Sequence, residues 1–225
     1  MNTRWRWMAL AMIGLALPAS GCGADPSSAP SMPGGGMPDG GEPGAPPPGN
    51  TAVSLPFTVS DYFFPSGFMG DGQTSPTAVV VSSTACQRPR PTGAVGDCYR
   101  VTFTPGDLGW AGVYWQYPEN NWGASPGKPV EAGASRVTFY AAGAAGGEML
   151  QLLIGGESNA KLPYQDSFKA TSMITLTTTP MLYEVDISGR NYDSGVLGAF
   201  GWTLIAPTGA KAPIVFFLDS IRWEK

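Results

Sequence analysis

From Thr51 to Lys225 the chain is a succession of short β-rich runs, each closed off by glycine or proline, and that punctuation leaves room for little but an all-β fold. Ten runs can be read: Ser54–Val59, Ala78–Ser83, Tyr99–Thr104, Trp110–Tyr117, Arg136–Ala142, Met149–Ile154, Met173–Thr177, Tyr183–Ile187, Phe200–Ile205 and Ile214–Trp223. Several alternate with period two, as Tyr99, Val101 and Phe103 do against Arg100, Thr102 and Thr104, the pattern of strands with one wet face. No stretch carries a convincing helical period. Ten short antiparallel strands in 175 residues predict a sandwich or a barrel, and uneven loops favour Greek-key crossings over a meander. The expected fold is therefore a two-sheet antiparallel β-sandwich, a jelly roll. No repeat recurs at a fixed spacing, which speaks against a propeller or solenoid.

Within that frame one stretch stands out. Gly109–Gly123, GWAGVYWQYPENNWG, places Trp110, Tyr114, Trp115, Tyr117 and Trp122 in fifteen positions beside Gln116, Glu119, Asn120 and Asn121. Any single ring on a strand is more often core than ligand contact. Five rings among amides suit a flat, hydroxylated ligand such as a sugar, because rings offer rigid apolar area and amides offer both donors and acceptors. Strand parity sorts them into two faces, Ala111, Val113, Trp115 and Tyr117 on one and Trp110, Tyr114 and Gln116 on the other; Ala111 and Val113 mark the first as core, while parity by itself also admits the inverse. After Pro118 the strand should end, leaving Trp122 on a loop at the rim. Gln151, between Met149 and Leu153, asks for a partner or a ligand, and Arg136 shares a strand face with Thr138 and Tyr140. Trp110, Tyr114, Gln116, Asn121, Trp122 and Arg136 are the expected carbohydrate-binding residues. Changing Tyr114 or Trp122 to alanine is then expected to abolish retention on a polysaccharide and to leave melting nearly unchanged.

The N-terminus carries Arg4 and Arg6, an apolar run Met8–Leu17, and small residues before Cys22, the layout of a secretory signal over residues 1–21. The apolar run is ten residues, well short of the roughly 20 that span a bilayer. Residues 22–50 follow; Gly23–Asn50 holds eight glycines and eight prolines in 28 residues, too little packing surface to offset ordering, and reads as a disordered linker to a folded domain at 51–225. Without residues 1–21 the formal charge is 11 − 17 = −6, with no basic cluster. That excludes nucleic acid as an expected partner and suits neutral ligands. Cys86 and Cys98 are expected to form a disulfide, the default in an exported chain. No histidine occurs anywhere, which removes histidine-based triads and the usual zinc sites, so any catalysis would need a carboxylate pair.

Two resemblances sharpen these expectations. Ala19-Ser20-Gly21-Cys22 resembles the lipobox of bacterial lipoproteins, with Ala19 where leucine is usual. It implies cleavage before Cys22, a lipid on that cysteine, and residence in the bacterial cell envelope as a lipid-anchored protein; Gly23 after the cysteine points to the outer membrane over the inner. The succession SDYFFPSGFMGDG (Ser60–Gly72), ASRVTFYAAGAAGGE (Ala134–Glu148), YEVDISG (Tyr183–Gly189), GAFGW (Gly198–Trp202) and PIVFFLDSIRW (Pro213–Trp223) resembles the galactose-binding-like jelly rolls that serve as carbohydrate-binding modules. The resemblance implies a polysaccharide or glycan ligand and one cofactor, a structural calcium ion held by Asp61 and Asp219, with Ser220 where a second Asp is common. The alternative for Asp219 is to satisfy backbone N–H groups at a strand end. Three function classes stay open: non-catalytic carbohydrate binding, a glycan-cleaving enzyme with two carboxylates, and a structural or adhesive envelope module without a small ligand.

Overall fold

The computed structural model describes residues 51–86 and 88–225; the expected signal segment 1–21, the lipidation site Cys22 and the linker 22–50 lie outside the described residues. The strands are β1 (Phe57–Thr58), β2 (Phe64–Gly70), β3 (Val79–Ser82), β4 (Cys98–Phe103), β5 (Trp110–Gln116), β6 (Arg136–Gly143), β7 (Met149–Gly155), β8 (Lys169–Thr175), β9 (Met181–Asp186), β10 (Gly198–Ile205) and β11 (Ile214–Glu224). One short α-helix, α1 (Asp71–Thr74), follows β2. The named strands all pair antiparallel.

Two sheets result. The first runs β3-β4-β11-β6-β9, with β1 also pairing with β11, and the second runs β2-β5-β10-β7-β8. Only β3–β4 and β7–β8 are neighbours both in sequence and within one sheet; the other connections cross from sheet to sheet or skip strands, as the uneven loops imply. This is the expected two-sheet antiparallel β-sandwich.

The core forms where alternating apolar positions of both sheets meet. Trp115 of β5 lies edge-on to Tyr99 of β4 at 5.2 Å and to Phe200 of β10 at 5.4 Å, and Trp202 of β10 meets Phe216 of β11 at 4.9 Å. Edge-to-face contacts of this kind add about 1 kcal/mol each beyond burial. On β5 the alternation is clean: Ala111, Val113 and Trp115 belong to the core cluster. The opposite face, Trp110, Gly112, Tyr114 and Gln116, is therefore turned out of the sandwich.

The strand β2 is absent from the ten runs read in the sequence. Its segment is FPSGFMG, whose Pro65, Gly67 and Gly70 disguise it as a loop. The structure accommodates both residue types for definable reasons. β2 is an edge strand, where a missing N–H costs least. At Gly67 a Cβ would stand 2.8 Å from Tyr114 Cβ and 2.7 Å from Gln116 Cδ, so a larger side chain has no room beside β5.

Candidate functional site: a ring-flanked groove

The outward face of the second sheet is built in transverse rows set by register. One row is Gly67, Tyr114, Gly201, Leu153 and Thr171; the next is Met69, Gly112, Thr203, Gln151 and Met173. Glycines at three of these ten places lower the floor, and a groove of about 860 Å³ runs across the face. Its lining includes Gln73, Trp110, Tyr114, Trp122, Gln151, Glu157, Asn159, Lys169 and Thr203. Four inter-strand spacings of about 4.8 Å make the sheet roughly 19 Å wide in this direction, room for several linked sugar rings.

The two tryptophans sit at its borders, each 36% exposed. Trp110 opens β5 and lies against Gly70 of β2, where a Cβ would stand 2.8 Å from the indole Cδ2. The chain leading into it is fixed by Asp71, which accepts from the N–H groups of Gly106 (2.9 Å), Leu108 (2.9 Å) and Gly109 (3.0 Å). Desolvation pushes the Asp71 carboxyl up, but these three donors more than offset it and hold it below the usual carboxylate range.

Trp122 is held out on the loop after Pro118 by its neighbour. The Asn121 amide donates to Tyr117 O (3.0 Å) and Ser125 O (2.8 Å), and its carbonyl accepts from Gly123 N (3.1 Å) and Ser125 N (3.0 Å). Asn121 is buried and its hydrogen-bonding capacity is spent on this turn, so it positions Trp122 and does not face the groove. Trp122 then meets Tyr114 edge-on, with centroids 6.5 Å apart at 88°.

Tyr114 is floor, not rim. It is only 5% exposed, its ring lies across Gly198 and Gly201, and its hydroxyl donates to Gly155 O at 3.0 Å. Burial, with the nearby Glu157 and Asp166 carboxyls, raises the phenol well above its ordinary value, so it stays a donor.

Gln116 is fully buried beneath the groove instead of facing a ligand. Its NH2 donates to both oxygens of Glu157 (3.0 and 3.1 Å), and its carbonyl accepts from Ser66 Oγ (3.0 Å). Burial pushes the Glu157 carboxyl up to about 8; the Gln116 bond opposes this and the Asp166 charge adds to it. Asp166 is likewise raised by burial, to about 6, against three backbone donors, Leu197 (2.7 Å), Glu157 (3.0 Å) and Gly198 (3.3 Å). Glu157 and Asp166 together tie the wall Gly156–Ala160 to β5 and β10.

Arg136 lies elsewhere. It belongs to β6 of the other sheet, 3.2 Å from Glu224 and 3.7 Å from Glu184 on an outward surface, so it does not join Tyr114. Strand parity cannot tell which sheet a strand enters. Gln151 does reach the groove: its carbonyl accepts from Thr203 Oγ1 at 3.3 Å, leaving its NH2 for a ligand oxygen. Gln73, Asn159, Lys169 and Thr203 escape sequence reasoning because a polar side chain on a strand or loop has no signature until register aligns it.

The donor set at Asp61 and Asp219 does not fit calcium. Asp219 is buried at the bulge of β11 and holds Arg90 through three bonds of 2.6, 3.0 and 3.2 Å, with a fourth from Ser220 Oγ at 2.9 Å. Asp61 is exposed on the 3-10 turn after β1. Among the described residues no three Asp, Glu, Cys or His side chains gather as a metal would need. A cation at Asp219 would have to displace the guanidinium. Arg90 belongs to the β3–β4 loop, which the Cys86–Cys98 disulfide also fastens and which places Arg88 over the Phe217 ring at 4.7 Å. Arg90→Ala would leave a buried carboxylate without its partner and is expected to cost about 3 kcal/mol in denaturant unfolding, while chelators leave the wild-type midpoint unchanged.

No protein-family model matches the chain, and no curated protein matches it. Solved structures similar to it include a family 11 carbohydrate-binding module from Clostridium thermocellum in complex with a β-1,3-1,4-mixed-linked tetrasaccharide, at 13% identity over 65% of this chain and 81% of that one, TM-score 0.40. The family 11 module of a cellulosomal cellulase of Clostridium thermocellum is similar at 14% identity over 77% and 96%, TM-score 0.44. A family 30 carbohydrate-binding module of a cellulosomal cellulase of the same organism is similar at 14% identity over 76% and 94%, TM-score 0.43.

Proposed function

We propose that this protein binds a neutral polysaccharide without cleaving it, the glycan lying across the second sheet with sugar faces against Trp110 and Trp122. The observation that carries this reading is the pair of part-exposed indoles bordering a groove lined with amide side chains. Indoles on an outward face bury no core surface of their own, and a hydroxylated ring supplies both the apolar face and the hydrogen-bonding edge that the groove lacks. Gln73, Gln151, Asn159 and Thr203 are the groups that would meet hydroxyls.

Cleavage is disfavoured by the same inventory. A glycosidase of the usual kind needs two carboxyl groups facing each other about 5–9.5 Å apart. Glu157 is the one Asp or Glu among the residues lining the groove, and both its oxygens face Gln116. Asp166 is pinned below by backbone donors. A glycan array incubated with the purified protein is expected to show retention on neutral polysaccharides, unaffected by chelators. Uniform failure across the array would remove the reading, and release of reducing ends would replace it with the enzymatic one.

The proposal extends to placement in the cell. The lipobox-like Ala19-Ser20-Gly21-Cys22 and the Gly/Pro-rich segment after it support a module tethered by lipid to the bacterial envelope, at the outer membrane. Cys22→Ser is then expected to abolish incorporation of labelled palmitate and move the protein from the membrane to the soluble fraction. Unchanged labelling in that variant would refute the anchor and leave the groove untouched.

A further inference from the structure

The groove does not end at Trp110. Register places Ile205 of β10 directly opposite Trp110, and Met149 stands two residues along β7 from Gln151 on the same face. Ile205 is 82% exposed and Met149 57%, and Met173 is also exposed on the neighbouring strand. Beyond them the face runs into a second cavity of about 450 Å³ at the end of the sandwich, between the β6–β7 turn and the β10–β11 connection. Its walls are Met149, Leu204, Ile205, Pro207, Ile214 and Val215, closed by the backbone of the turn at 144–147.

This slot is chemically unlike the groove. Glu148 is the one side chain lining it that bears an oxygen or nitrogen; its Oε1 accepts from Ala145 N at 2.9 Å, and its Oε2, turned in against Gly143, is the single acceptor left over. A sugar buried there would lose water from its hydroxyls and find few partners, at a cost of about 1–3 kcal/mol for each unpaired group. An alkyl or aryl group loses nothing of the kind and gains by burial. Exposed isoleucine and methionine in one continuous strip, joined to a polar groove by Trp110, form an amphipathic track.

We infer that the ligand is an amphiphilic glycan: the groove takes the sugars, and the slot beside Ile205 and Met149 takes an apolar substituent, such as an acyl, alkyl or aryl group, carried by the glycan. This rests on the glycan-binding reading of the groove and adds the class of substituent. The two parts are neighbours and not one cavity: Ile205, which lines the slot, stands opposite Trp110, which lines the groove, so one ligand can reach both while each keeps its own lining.

The test titrates the full chain with methyl, butyl, hexyl and octyl glycosides in gluco, galacto and manno configuration, all below their micellar concentrations, with 1-octanol and an unsubstituted soluble polysaccharide beside them. Affinity for the recognised sugar should rise up to about 4-fold per methylene as the chain fills the slot. Ile205→Asp and Met149→Asp, both at exposed positions, should flatten that rise and leave polysaccharide binding as it was. If the polysaccharide binds and chain length has no effect, the inference is overturned and the groove reading stands. If 1-octanol binds as tightly as the octyl glycosides, the slot is an apolar site independent of sugar, and the inference is likewise overturned. Loss of all sugar binding, with or without the alkyl chain, sinks both readings together.

Discussion

Trp110→Ala and Trp122→Ala are each expected to weaken retention on the bound polysaccharide at least 10-fold, and the double variant to abolish it, while each single variant melts within about 3 °C of wild type. The split between binding and stability follows from position. Both indoles border the groove at 36% exposure, so truncation opens no core cavity. Tyr114→Ala behaves differently from what its sequence suggests. The ring fills the floor over Gly198 and Gly201 and its hydroxyl holds Gly155 O, so the variant should lose about 3 kcal/mol of stability together with binding. Affinity electrophoresis paired with thermal melts reads both quantities. Equal retention by wild type and double variant would take the tryptophans out of the recognition surface.

The second large effect is on pH. Glu157 and Asp166 have folded-state values raised to about 8 and about 6, against 4.5 and 3.8 in the open chain. A raised carboxyl keeps its proton longer in the folded state, so between about pH 4 and pH 8 folding holds protons that the unfolded chain releases. Stability is therefore full below the unfolded values and falls as pH rises through the folded ones. Each tenfold change in proton affinity corresponds to about 1.4 kcal/mol, so the pair withdraws several kcal/mol across that window. Glu157→Gln keeps the shape and an acceptor for Gln116 and cannot ionise. It should flatten the upper part of the profile and raise the melting temperature at pH 8 by several degrees. Because Glu157 also fastens the wall Gly156–Ala160, wild-type glycan binding should weaken above about pH 8 and the variant's should not. A wild-type melting profile flat from pH 5 to pH 9 would contradict the buried arrangement.

How much of this is legible in the sequence differs by level. Period-two alternation is enough for the sandwich and for the division of β5, because the core claims every second side chain: Trp115 goes in, while Trp110 and Tyr114 go out. The same alternation cannot weigh depth. Gln116 shares the outward parity yet lies fully buried, roofed by the loop that carries Glu157, and Asn121 looks like a ligand amide until its four bonds within the turn are seen. Arg136 fails for a topological reason, since β6 joins the other sheet. Asp219 stands out as an acid in need of a cation, but the cation is Arg90, 129 positions away, and nothing local announces it. The strand β2 is hidden by the proline that its edge position tolerates and by the glycine that the bulk of Tyr114 requires. Long-range pairing decides each of these, and a one-dimensional pattern carries no record of it.

Glycan held on the outward face of the β2-β5-β10-β7-β8 sheet should leave a local imprint on the proton spectrum of the isotope-labelled protein as a retained oligosaccharide is titrated in. The expected result is saturable shifts of the Trp110 and Trp122 indole N–H signals, the Gln151 side-chain amide and the backbone of Gly156–Asn159, with Trp115, Trp202 and Trp223 unmoved. Shifts clustered instead on the opposite sheet, around Arg136, Thr138 and Tyr140, with both groove indoles silent, would contradict it.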